Sequence, residues 1–193
     1  MQILPNFSMI ISALWQDRVF RDAENFYPTH MISLVDPEYS PSTLLTTFTK
    51  NYLLISAKDR TEAYDNSIPE SIIFELVKFL DETTSSSKQS SIRLLIHCHL
   101  GISRSPAIGY VALSRLFGYG LEEKAFSTLL MLTNKPWPNH GIISTVDRLL
   151  NYNNSLLTPL ENYRKKWPLR HQAYRRLNKK LNRIPGSLKN EKK

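Results

Sequence analysis

The segment RLLIHCHLGISRSPA (93–107) constrains the fold more than any other stretch of the chain. It continues a run, IRLLIH (92–97), in which Leu94, Leu95 and Ile96 follow one another without polar alternation. Such a strand is buried on both faces, as in the centre of a parallel sheet. The chain then enters a tight loop, Cys98–Ser103, and Pro106 stands where the first turn of a helix tolerates a missing N–H. That helix is expected to run to about Phe117, where Gly118 and Gly120 stop it.

Three further apolar runs read as strands: FSMIISAL (7–14), HMISLV (30–35) and YLLIS (52–56). Residues 15–26 are mixed and read as a helix or a loop with a helical turn, and 36–50 is rich in Pro, Ser and Thr. Ser67 and Glu70 have the spacing of a capping box at the start of a helix with Ile72, Ile73, Leu76, Phe79 and Leu80 on one face. The stretch TTSSSKQSS (83–91) reads as a flexible surface loop. Residues 121–132 are expected to be helical. After the breaker NKPWPN (134–139), so are residues 140–153. Strands alternating with helices imply an α/β fold, a parallel-rich central sheet of four or five strands flanked by helices.

At 193 residues and 41% hydrophobic, the chain suits one domain with a modest appendage. No stretch approaches the ~18 apolar residues of a transmembrane helix. The N-terminus, MQILPNFSMIISALW, lacks a basic leader region and reads as the start of the fold rather than a signal peptide. One cysteine permits no intrachain disulfide and needs no oxidising compartment, so a cytoplasmic location is expected. One cysteine and five histidines make a structural zinc site an unattractive reading. The net charge of +8 is unevenly spread: residues 164–193 hold 12 of the 25 Lys and Arg but only one of the 17 acids. A slightly acidic globule (1–157) is therefore expected to carry a basic C-terminal extension (158–193).

The loop after the central strand carries the chemistry. Between a strand end and a helix N-terminus, successive backbone N–H groups can turn inward and, with the helix dipole, hold a tetrahedral oxyanion. Gly101 permits a backbone angle that a Cβ resists. Arg104 presents a planar fork for two phosphate oxygens. Cys98 lies at the bottom of the same cup, where donors that bind phosphate also stabilise a thiolate. Ser105 can reach back to the sulfur, and His97 can hold the loop by hydrogen bonds. A lone cysteine at a strand end is ordinarily a small inert hydrophobe. The surrounding pattern argues otherwise here: His before Cys98, Gly three residues after it, and S-R-S-P leading into an apolar helix.

These residues, HCHLGISRSPA, resemble the phosphate-binding signature loop of the cysteine-dependent protein tyrosine phosphatase superfamily, closest to its compact dual-specificity and bacterial tyrosine-phosphatase-like members. The resemblance covers about residues 7–155 and is specific at 96–107. It implies that Cys98 is a nucleophile forming a cysteinyl-phosphate, and that Arg104 binds the phosphoryl oxygens in ground and transition states. Ser105 would ease departure of the thiolate. The backbone of His99, Leu100, Gly101, Ile102, Ser103 and Arg104 would line the cup. It implies a phosphorylated protein as substrate, phosphotyrosine first, and calls for no metal ion and no cofactor. Leu100 departs from the small residue usual at its place, and would either narrow the cup or face the sheet.

The resemblance also implies an Asp that protonates the leaving oxygen from a separate loop. Asp59, directly after YLLIS, is the first candidate, with Asp65 and Glu62 behind it. Asn139, in PWPNHG, resembles a turn that supports the cup by hydrogen bonds. His99 is expected at the rim, in contact with substrate. The extension has Ala173, Tyr174, Leu177, Leu181 and Ile184 at helical spacing, an amphipathic basic helix. It would dock on the domain or float, bind an anionic membrane or acidic partner, or, less readily, bind nucleic acid. A phosphoinositide or RNA 5′-phosphate substrate is a rival, although a loop without lysines argues against a polyanionic headgroup. A non-catalytic phospho-binding module and a rhodanese-like sulfur carrier are rivals that Cys98, Arg104 and Ser105 together disfavour.

Overall fold

The computed structural model describes residues 1–40, 42–59, 68–87, 90–181 and 183. Its sheet has five strands in the order β1 (Gln2–Leu4), β2 (Phe7–Ala13), β5 (Ile92–Cys98), β3 (His30–Val35) and β4 (Asn51–Ser56). The last four are mutually parallel, and β1 adds antiparallel to the β2 edge. β5 is the centre, paired with β2 on one side and β3 on the other, as its unbroken apolar run requires.

Side chains alternate across the sheet and so divide between two layers. Leu94, Ile96 and Cys98 of β5 join the main core with Ile32 and Leu34 of β3. Helices α2 (Glu70–Ser86), α3 (Arg104–Phe117), α4 (Glu122–Leu132) and α5 (His140–Leu149) cover that face through Leu76, Leu80, Ile108, Val111, Leu129 and Ile143. Leu95 and Met31 pack on the opposite face against Val19 and Ala23 of α1 (Arg18–Phe26). Each such fully buried aliphatic side chain contributes about 1.5–3 kcal/mol. Helix α3 lies very close to β2: a Cβ on Gly109 would come 2.7 Å from Ile11 Cδ1. Helix α6 (Leu157–Lys166) adds Leu160 to the main core, and α7 (Arg170–Lys180) follows it.

The structure departs from the sequence reading at several boundaries. β1 is an added edge strand. Helix α2 begins at Glu70 with Pro69 at its cap, so Glu70 is not at the third position of a capping box, and Ser67 lies outside the described residues. Residues 83–86 continue α2 instead of forming a loop. Their hydroxyls donate back to carbonyls one turn earlier, Thr83 to Phe79 and Ser86 to Glu82, and Thr83 is buried. Local hydroxyl bonds of this kind let a helix absorb a Ser/Thr run. Helix α5 stops at Leu149 rather than near 153, where Tyr152 N–H and Asn154 N–H turn back onto Asp147.

Candidate active site

All four parallel strands end on one edge, with Ala13, Val35, Ser56 and Cys98 side by side in register or nearly so. Ligands of parallel α/β sheets bind outside this carboxyl edge. Cys98 is the last residue of the central strand, and α3 begins six residues on. The connecting loop is held from outside. Leu14 and Trp15 N–H donate to the Cys98 and His99 carbonyls at 2.9 and 3.0 Å, and Trp137 and Asn139 N–H donate to the Ile102 and Ser103 carbonyls at 2.8 and 3.1 Å. In a planar trans peptide the following N–H points opposite to its carbonyl. Carbonyls pulled outward at 98, 99, 102 and 103 therefore turn the N–H groups of 99, 100, 103 and 104 into the cup.

Gly101 closes the turn at φ +69°, and a Cβ there would stand 2.9 Å from the Ser12 carbonyl oxygen and 3.3 Å from Ala13 Cβ. Glycine is the residue that fits. Its own N–H donates to Cys98 Sγ at 3.3 Å, and Ser105 Oγ lies 3.1 Å from the same sulfur. Cys98 is 1% exposed, so its sulfur forms the floor under the loop. Arg104 is also buried; its Nη1 donates to the Ala57 carbonyl at 2.6 Å and to Asp36 Oδ1 at 2.9 Å. Its Nε makes no hydrogen bond and lies 3.7 Å from Asp59 Oδ2. The guanidinium is thus anchored at one corner through Nη1.

Asp59 sits on the cleft beside this arginine. Its Oδ1 accepts from Ser103 Oγ at 2.7 Å and from Asn139 Nδ2 at 2.9 Å. Asn139 also caps α5 through Oδ1, which accepts from Ile142 N–H at 3.0 Å. One buried asparagine thus joins the cup, Asp59 and the start of α5. Asp65 and Glu62 lie outside the described residues.

Known structures share this arrangement of elements. Human DUSP28 superposes with a TM-score of 0.54 at 16% identity, over 81% of this chain and 96% of its own. Phosphatase PTP-2 of Cydia pomonella gives 0.54 at 16%, over 73% and 84%. The human tyrosine phosphatase-like serine/threonine/tyrosine-interacting protein gives 0.50 at 18%, over 80% and 97%. The fold is that of the dual-specificity phosphatases. No family model matches the sequence, and no curated protein matches it. At these identities the likeness is one of fold.

Several side chains sit differently from expectation. His97 does not reach the loop. It points to the α1 face, where its Nε2 lies 2.5 Å from Ser33 Oγ of β3, because strand alternation turns it away from the face of Cys98. Burial, helped by the charge of His99, lowers its pKa to about 4. The unfolded chain binds a proton near pH 6.5 that the folded ring refuses until about pH 4, so stability falls on acidification across that window. Between pH 7 and pH 5 the loss is about 2 kcal/mol from this group, at ~1.4 kcal/mol per unit below 6.5. Partial burial shifts His30, His140 and His171 in the same direction. Urea unfolding at the two pH values checks this: His97→Gln should remove most of the slope, and an unchanged slope would assign it elsewhere.

His99 lies against Asp36 rather than standing free at the rim, with Nε2 3.1 Å from Asp36 Oδ2 and Tyr39 edge-on at 4.9 Å. Leu100 lines the cleft. Asp36 opens the Pro-, Ser- and Thr-rich stretch 36–50, to which the sequence pattern assigns no role. Its His99 hydrogen bond holds its carboxyl below the ordinary range against the opposing effect of burial, with Arg104 adding to the lowering. Its position after a parallel strand, on the edge where ligands bind, was the available signal.

The extension is docked, at least through α7. His171 stacks on Trp137 with parallel rings 6.1 Å apart, Tyr174 Oη donates to the Lys135 carbonyl, and Arg183 lies over the Trp15 ring. Of the helical stripe, Tyr174 makes this contact while Leu177 and Leu181 are exposed, so the helix meets the domain by its aromatic and polar edge. Ile184 lies outside the described residues. Among the described residues no helix is long and apolar enough to cross a membrane.

Proposed function

We propose that this chain is a cysteine-dependent phosphoric monoester hydrolase that dephosphorylates proteins, phosphotyrosine first. The carrying observation is the sulfur of Cys98, contacted by Gly101 N–H and Ser105 Oγ beneath a loop whose amides converge above it. A substrate phosphate seated in the cup meets inward amides, the α3 N-terminus and the Arg104 fork, which match its charge as it shifts during transfer. The thiolate attacks phosphorus; an S–P bond forms and the P–O bond to the leaving group breaks. Asp59, as an acid, gives the departing oxygen its proton. The same carboxylate then takes a proton from water, which attacks phosphorus and releases Cys98. Ser105 Oγ supports the returning thiolate.

Ser103 and Asn139 hold Asp59, and Asp36 with the Ala57 carbonyl holds Arg104. A single free thiol suits a reducing, cytoplasmic setting. The intact chain should release phosphate from p-nitrophenyl phosphate under reducing conditions, and vanadate should block it by occupying the cup. No release from aryl phosphates or phosphotyrosine peptides would favour a binding module instead.

A further inference from the structure

The segment 135–139 is held from both sides. On the outer side, three side chains of the extension take its carbonyls: Tyr174 Oη donates to Lys135, Tyr163 Oη to Pro136 at 2.8 Å, and Arg164 Nη2 to Pro138 at 2.8 Å. On the inner side, Trp137 and Asn139 N–H donate to the Ile102 and Ser103 carbonyls of the cup loop. These bonds pair off by peptide plane. In a trans peptide the carbonyl and the following N–H point in opposite directions. The Pro136–Trp137 peptide therefore joins Tyr163 to Ile102, and the Pro138–Asn139 peptide joins Arg164 to Ser103. The same geometry carries each line one peptide further, to the N–H groups of Ser103 and Arg104 that turn into the cup. Lys135 differs. The residue after it is Pro136, which has no N–H to pass on, so the Tyr174 bond ends within the segment.

Arg164 is set into this arrangement more firmly than a surface cation. Its guanidinium stands 4.9 Å over the ring of Trp137, which is buried. Burial lowers the Arg164 pKa to about 10, so the side chain stays charged at neutral pH. Tyr163 Oη accepts from Arg170 Nη1 of α7 as it donates to Pro136, so a cation stands behind each line. Hydrogen bonds in series polarise one another, and a charged outer end strengthens the inner N–H as a partner for an anion. We propose that Tyr163 and Arg164 of α6 are positioning residues of the reaction. Each sets, through one peptide of 136–139, one of the two amides, Ser103 and Arg104 N–H, that hold phosphoryl oxygens in the transition state. The inference rests on the phosphatase reading of the cup. It makes the basic extension a part of the catalytic unit rather than an appendage to it.

Steady-state kinetics of the full chain on p-nitrophenyl phosphate, with vanadate as inhibitor, test this. Losing one oxyanion donor outright costs about 10²–10³-fold in kcat, and a donor kept but no longer held in place should cost less. Tyr163→Phe and Arg164→Met should each lower kcat about tenfold and leave KM within about threefold. Each should also raise the vanadate inhibition constant about tenfold, since vanadate takes the five-coordinate geometry of the transferring phosphorus. A protein merely weakened in its fold would lose active molecules, which lowers kcat but leaves the vanadate constant where it was. Tyr174→Phe removes the same kind of bond from the same segment, at the carbonyl with no N–H behind it, and should stay within about twofold in both quantities. An unchanged vanadate constant in Tyr163→Phe and Arg164→Met, or an equal rise in Tyr174→Phe, would overturn the proposal. Failure of the phosphatase reading shows separately, as absence of hydrolysis by the unmodified chain; calorimetric vanadate binding by the same variants then carries the comparison.

Discussion

Cys98→Ser is expected to lower kcat for p-nitrophenyl phosphate by on the order of 10⁵-fold, the scale found when a nucleophile working as part of a unit is removed. The substitution is nearly isosteric, and the hydroxyl can still meet Gly101 N–H and Ser105 Oγ, so the fold and the cup should persist. What it loses is nucleophilicity. A serine needs an adjacent base to activate it; of the two histidines next to it in sequence, His97 points to the other face of the sheet and is engaged with Ser33, and His99 lies against Asp36. Asp59 is tied to Ser103 and Asn139 across the cleft. Steady-state kinetics and calorimetric orthophosphate binding check both halves: binding retained, turnover lost. Residual activity above about one per cent would mean that the sulfur is not the attacking atom.

Asp59→Asn gives the second large effect, and it depends on the leaving group. General acid catalysis is worth about 10²–10⁴-fold, and the benefit is greatest when the departing oxygen is a poor leaving group. With phenyl phosphate or a phosphotyrosine peptide the variant should lose kcat in that range. With p-nitrophenyl phosphate, whose phenolate leaves readily, the loss should be much smaller. Asparagine Oδ1 still accepts from Ser103 Oγ and Asn139 Nδ2, so the change removes the transferable proton while sparing the contacts that position the side chain. A loss equal for both leaving groups would make Asp59 a positioning residue. No loss for either would move the acid to the segment holding Glu62 and Asp65.

Much of this was legible in the linear chain because it depends on neighbours in sequence. The doubly buried character of residues 92–97 needs only the absence of alternation, and the runs at 30–35 and 52–56 appear as strands within a residue. The turn at Gly101 was readable because a positive φ at a tight strand-to-helix loop admits few residues. The extension of α2 through Thr83–Ser86 was not, since a Ser/Thr run is loop or helix according to whether its hydroxyls fold back and whether Thr83 finds a core to enter. Asp36 looked like punctuation because its two partners, His99 and Arg104, stand more than sixty residues away.

The extension shows the same division most sharply. Helical spacing gave α7 correctly as a helix, but periodicity reports which residues share a face, not which face meets the domain. The aromatic edge was chosen over the aliphatic one by Trp137 and Lys135, contributed by the breaker segment before α5 and invisible to any local pattern. The chemistry of the cup was written in twelve consecutive residues, since strand, loop and helix start place their own amides, sulfur and guanidinium. What stands around the cup was decided by tertiary structure alone, because Asp36 after β3, Asp59 after β4, Asn139 before α5 and the side chains of α7 converge only when the chain is folded around the same edge of one sheet.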